Sequence, residues 1–167
     1  MVQGRSPTGL ENALANRNKG GGAAAPVRYP IVVVDDDKSS RASLALTLGD
    51  QYEVITCASA KEGVAAVHEE ICAVILDVRM PEQDGFWACD QIRRIVPDMP
   101  IIFYSAYQNA KDPIDIINDH HPFAYVVKDG DLQRLLRLIG MAVGIQSVIV
   151  KNRKLLRKLQ AARDAAR

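Results

Sequence analysis

Four short apolar runs in this chain each end on polar residues that could handle phosphate or a metal ion. Asp35-Asp36-Asp37 follow the run 31–34, Asp77 follows 73–76, Ser105 follows 101–104, and Lys128 follows 124–127. Aspartate and lysine are poorly suited to strand interiors, so each marks a point where an apolar strand gives way to a polar edge. Carboxylates gathered at one edge repel one another unless a cation joins them. Hard oxygen ligands in an incomplete protein cage suit magnesium, which binds through a few carboxylates and substrate phosphate and keeps several waters.

The elements that must bring these groups together are legible as two alternating periods. The runs 31–34, 52–56, 73–76, 101–104 and 124–127 are rich in β-branched residues. Between them lie helical patterns at about 39–48, 60–69, 85–96 and 113–117, with a last one from Asp131 onward. Five β-α pairs of this kind predict an α/β fold with a parallel sheet. The first, third and fourth runs are apolar without alternation, as in strands covered by helices on both faces. Right-handed crossovers then give an open, doubly wound sheet, whose ligands bind beyond the carboxyl ends of the strands. The chain of 167 residues has room for one such body. Residues 1–29, including Lys19-Gly20-Gly21-Gly22, lack an apolar period and are expected to be a flexible leader. The body is expected over 30–140 and a helical extension over 141–167.

Four segments carry a family resemblance. Val32-Val33-Val34-Asp35-Asp36-Asp37, the stretch from Val74 through Asp77-Val78-Arg79-Met80-Pro81 to Gly85, Pro100 to Ala106, and Tyr125-Val126-Val127-Lys128 strongly resemble the receiver domains of bacterial response regulators. The match covers roughly residues 29–140 and is specific because four motifs occur in order, each at the end of its own strand. The resemblance implies a flavodoxin-like (βα)5 fold and a phosphorylation-dependent signalling switch. Asp77 becomes the phosphoacceptor, while Asp35, Asp36, Asp77 and the backbone carbonyl of Arg79 become ligands of Mg2+. Ser105 and Lys128 complete the phosphate site, and Tyr125 is expected to turn inward behind Ser105 once the phosphoryl group arrives. A histidine kinase or phosphotransfer protein is the implied donor. The protein is then no conventional enzyme, although it could catalyse its own phosphorylation and dephosphorylation. Arg79 and Tyr107 occupy the two positions that in this family tune the lifetime of the phosphoryl group.

One departure stands out: Lys128 is followed by Asp129-Gly130, where receivers usually place a proline after a cis bond. Asp129 could compete for the Lys128 ammonium, which leaves open a receiver-like docking or dimerisation module that accepts no phosphate. A rival enzymatic reading is a phosphatase of the haloacid dehalogenase kind, since Asp35 and Asp37 also fit Asp-x-Asp-x-Ser. That reading leaves Asp77 unexplained. His120-His121-Pro122 reads as exposed loop, and His68-Glu69 as part of an amphipathic helix.

Charge is unevenly spread. Residues 31–150 hold 10 Lys and Arg against 18 acidic residues, a net of −8, whereas 151–167 hold seven Lys or Arg and a single acid, Asp164. The final helix carries apolar residues in steps of three and four at Leu138, Met141, Ile145, Val148, Leu155 and Leu159, with Asn152 on the same line. Such a seam predicts a coiled coil, and an amide at an a position favours a parallel dimer. No aromatic residue interleaves the basic side chains of this helix, so no nucleic-acid partner is expected. No uninterrupted apolar run reaches the ~18 residues of a membrane span. Three cysteines without metal-ligand spacing read as reduced core thiols of a cytoplasmic protein. Too few residues follow the body for a second catalytic or DNA-binding module, so the expectation is either a stand-alone receiver or a fragment.

Overall fold

The computed structural model describes residues 27–106 and 113–166. Five strands and five helices alternate: β1 (Tyr29–Val34), α1 (Lys38–Leu48), β2 (Tyr52–Cys57), α2 (Ala60–Ala66), β3 (Ala73–Leu76), α3 (Gly85–Ile95), β4 (Ile101–Ser105), α4 (Pro113–His120), β5 (Ala124–Val127) and α5 (Leu132–Ala165). All neighbouring strands are parallel, in the order β2-β1-β3-β4-β5. The chain winds outward from β1 in both directions, so the order reverses between β1 and β3, where ligands of such sheets bind.

Strand geometry sends successive side chains to opposite faces, and the apolar runs supply both cores at once. Val32, Val34, Val74, Leu76, Ile101 and Phe103 pack with Ala88, Cys89 and Ile92 of α3 and Ile116 of α4. Ile31, Val33, Ala73, Ile75 and Ile102 face Leu44 and Leu48 of α1 and Leu135, Ile139 and Ala142 of α5. Gly63 marks where α2 presses on β1, since a Cβ there would lie 2.6 Å from Val34 Cγ2.

Three elements differ from the sequence reading. Helix α2 stops at Ala66, three residues early, because Val67 turns extended (φ −80°, ψ 129°) and drops into the core with Ile71. His68 and Glu69 therefore lie in a loop and not on a helix. Helix α4 runs on to His120, after which His121 takes a positive φ of 45° ahead of Pro122. His120 is no exposed loop residue: its ring stacks on Phe86 at 4.7 Å, and Nδ1 lies 3.1 Å from Asp90 Oδ1. Tyr29, assigned to the leader, pairs with Tyr52 as the first residue of β1, and the rest of the leader up to residue 26 lies outside the described residues.

Helix α5 also stays on the sheet longer than expected. Ala142, Val143, Gln146, Ser147 and Val150 are all buried, so burial extends ten residues past the expected end of the body at 140. Beyond them Lys154 Nζ lies 2.9 Å from Glu70 Oε1, and Arg153 and Arg157 pair with Glu69, pinning the helix to the α2–β3 loop. By length and composition α5 is long and apolar enough to cross a membrane, which corrects the run-based reading, because only Arg134 and Arg137 are charged between Leu132 and Val150. Here 39% of its most apolar stretch is buried against the sheet, with Leu135 and Ile139 fully so.

Candidate functional site

The carboxyl ends of β1, β3, β4 and β5 converge as the sequence requires. Strands β1 and β3 are adjacent and pair Val34 with Leu76, so Asp35 and Asp77, one residue further along each, leave the sheet side by side. Backbone hydrogen bonds fix both: Asp77 N donates to Val34 O at 2.8 Å and Asp35 N to Cys57 O at 3.2 Å. Gly85 is set by the same junction. A Cβ there would lie 2.2 Å from Asp77 O, so only glycine lets α3 begin against the acidic strand end. Asp84 caps that helix, accepting from Trp87 N at 2.8 Å.

Asp35 is 2% exposed and Asp77 9%. The Lys128 ammonium bridges them, 2.7 Å from Asp35 Oδ2 and 2.8 Å from Asp77 Oδ2. Burial alone would lower the Lys128 pKa, but hydrogen bonds and charge from Asp35 and Asp77 outweigh it and hold the pKa above its ordinary value. Asp35 is further fixed by Ser40 Oγ on Oδ2 at 2.6 Å and Asp37 N on Oδ1 at 2.9 Å. Arg79 N donates to Asp77 Oδ1 at 3.3 Å. Ser105 is buried, and its side chain shares a hydrogen bond with the half-buried Tyr125. Burial raises the Tyr125 pKa, that hydrogen bond opposes the rise, and the Asp77 charge adds to it, which places the phenol near the acidic centre.

Asp35, Asp36 and Asp77 each present a carboxylate oxygen within 4.8 Å of the others. Three carboxylates outnumber the two cations beside them, the Lys128 ammonium and the Arg41 guanidinium, which donates to Asp35 O at 2.5 Å, and a divalent cation would offset the remaining negative charge. All three protein donors are hard oxygens, as magnesium prefers.

The Lys128-Asp129 departure resolves simply. There is no cis peptide bond among the described residues, and Lys128 reaches both carboxylates all the same. Asp129 is turned to the next helix, its Oδ1 accepting from Asp131 N at 3.0 Å, while Gly130 takes the turn at φ 95°. Asp37, the acid of the phosphatase reading, instead caps α1, accepting from Ser40 N at 2.6 Å. Arg79 stands exposed at the rim, and Tyr107 lies outside the described residues. Sequence reasoning missed Ser40. The signal was present: Asp37 at an N-cap puts Ser40 in the first turn of α1, facing back toward the end of β1.

Comparison with known proteins agrees with this geometry. A family model described as the response regulator receiver domain matches residues 31–140. Among curated proteins, the hydrogenase transcriptional regulatory protein HoxA of Cupriavidus necator is 30% identical over 119 residues, covering 71% of this chain and 25% of its own length. The transcriptional regulatory protein GlrR of Escherichia coli is 28% identical over 148 residues, covering 81% of this chain and 33% of its own. The chain thus spans about a quarter to a third of the relatives it matches. A solved receiver domain from Clostridium thermocellum is similar at 27% identity and a TM-score of 0.65, over 72% of this chain and 98% of that one. The chain belongs to the response regulator receiver family, and its doubly wound sheet is the receiver fold.

Proposed function

We propose that this receiver accepts a phosphoryl group on Asp77 from the phosphohistidine of a histidine kinase or phosphotransfer protein, and that the resulting acyl phosphate switches its surface. The observation that carries the reading is the convergence of Asp77, Asp35, Asp36, Ser105 and Lys128 at the β1–β3 switch point. In the transfer, an Asp77 carboxylate oxygen bonds to phosphorus as the phosphorus–nitrogen bond breaks, and the imidazole leaves with a proton. Asp35, Asp36, Asp77 and the Arg79 carbonyl would hold magnesium, which when bound neutralises oxygens of the transferring group. Lys128, now shared between two carboxylates, would contact one phosphate oxygen. Ser105 would contact another, with Tyr125 following it. Arg79, exposed at the rim, would slow hydrolysis of the acyl phosphate by crowding the attacking water.

Hydroxylamine gives the chemical test. Protein phosphorylated by a kinase and ATP should lose its label to hydroxylamine, leaving a hydroxamate mapped by peptide mass spectrometry to Asp77. Label resistant to hydroxylamine, or a hydroxamate elsewhere, would contradict the assignment.

A further inference from the structure

We infer that Ser40 is a positioning residue of the phosphoryl site: its hydroxyl keeps the Asp35 carboxylate fixed and satisfied while Lys128 moves from it to the phosphoryl group. This rests on the reading of Asp77 as phosphoacceptor. Asp35 is 2% exposed, so solvent does little to satisfy it. Its two carboxylate oxygens are engaged differently. Oδ1 accepts from Asp37 N at 2.9 Å, whereas Oδ2 accepts from both Ser40 Oγ at 2.6 Å and Lys128 Nζ at 2.7 Å. Lys128 is the movable partner, because the same ammonium lies 2.8 Å from Asp77 Oδ2, on the side chain that reacts.

Local structure aims Ser40 at Asp35. Asp37 caps α1 by accepting from Ser40 N at 2.6 Å, which seats Ser40 in the first turn with its backbone donor already used. The next residue, Arg41, donates from Nη1 to the Asp35 carbonyl at 2.5 Å, and Asp35 N donates to Cys57 O at 3.2 Å. The backbone beneath the carboxylate is therefore held on both sides. What remains soft is rotation of the carboxylate about its bond to Cβ, a broad torsion in aspartate. An anchor at Oδ1 alone leaves that rotation open, and a second at Oδ2 closes it. Ser40 supplies the second anchor independently of Lys128. When the ammonium departs, Oδ2 then keeps a donor and the carboxylate keeps its orientation. In Ser40→Ala, Lys128 is the sole protein donor to Oδ2. Its move to the phosphoryl group strips a buried charged oxygen, which holds the ammonium back. The resting site keeps Lys128 on Asp35, so the loss falls mainly on the phosphorylated state.

Titration calorimetry of the full chain separates the two states. Magnesium alone probes the resting site, and beryllofluoride at saturating magnesium stands in for the phosphoryl group on Asp77. The metal is present in both states, so its share cancels. Ser40→Ala should weaken beryllofluoride binding about tenfold, the size expected for one hydrogen bond to a buried charge. Its magnesium affinity should stay within about twofold of wild type, a difference well below that of a lost charged hydrogen bond. Ser40→Thr, which keeps the hydroxyl, should restore beryllofluoride binding. A serine with only a structural role would shift both affinities together. Unchanged beryllofluoride binding in Ser40→Ala, a magnesium affinity that falls as far as the beryllofluoride affinity, or a Ser40→Thr variant as weak as Ser40→Ala would overturn the proposal. Wild type that takes no beryllofluoride would overturn the phosphoacceptor reading itself, and this proposal with it.

Discussion

Lys128 sets the charge balance of the acidic centre, because it is the cation shared by Asp35 and Asp77. Lys128→Met leaves the carboxylates facing one another, so the metal-free protein should lose about 1–3 kcal/mol, since removing one partner of a buried pair strands the other. Magnesium should raise the melting temperature of this variant more than that of wild type; an equal rise would contradict a shared role for ammonium and metal. The pH dependence follows from the direction of the shift. The folded pKa of Lys128 lies above its ordinary value of 10.5, so its contribution is complete below that value and is lost as pH climbs through the folded value. Alkaline melts should therefore show a fall in stability above about pH 10.5 that is absent in Lys128→Met. Gly85 has an equally local role. Gly85→Ala would press a methyl group into the Asp77 carbonyl and should cost about 2–4 kcal/mol, measured by urea unfolding; a loss under ~0.5 kcal/mol would mean α3 is free to retreat.

At the scale of elements, the helix starts are polar caps, and these the sequence displays openly. Asp37, Asp84 and Asp131 each accept from a backbone N–H three residues on. Asp131→Ala should therefore cost about 1 kcal/mol, read as a shift in urea midpoint, and no shift would show that the sheet alone fixes the start of α5. Helix ends were harder to read. The end of α2 depends on Val67 leaving the helical period to fill the core, a tertiary demand that local spacing does not carry. The end of α4 depends on the Phe86–His120 stack and on His121 adopting a positive φ. The site was more legible than these boundaries because each chemical residue closes an apolar run: Asp35, Asp77, Ser105 and Lys128 all stand where the runs predict. Their second layer was not legible, since Ser40 reaches Asp35 only once α1 has turned back on β1.

For the whole molecule, two cores on either side of one sheet leave the thiols inaccessible. Cys57, Cys72 and Cys89 are free and buried, and burial pushes the Cys89 thiol up to about 11. Native protein at neutral pH should resist a thiol reagent, with all three cysteines reacting on unfolding; rapid native labelling would reveal an opening that the packing does not provide. The same sheet gathers side chains from four strands at one edge. The most direct test of the central claim is intact-mass spectrometry after incubation with acetyl phosphate and magnesium. The account predicts one added phosphoryl group on wild type, not formed when magnesium is chelated beforehand and absent from Asp77→Asn. An adduct that persists in Asp77→Asn, or no adduct under conditions that phosphorylate another receiver, would contradict it.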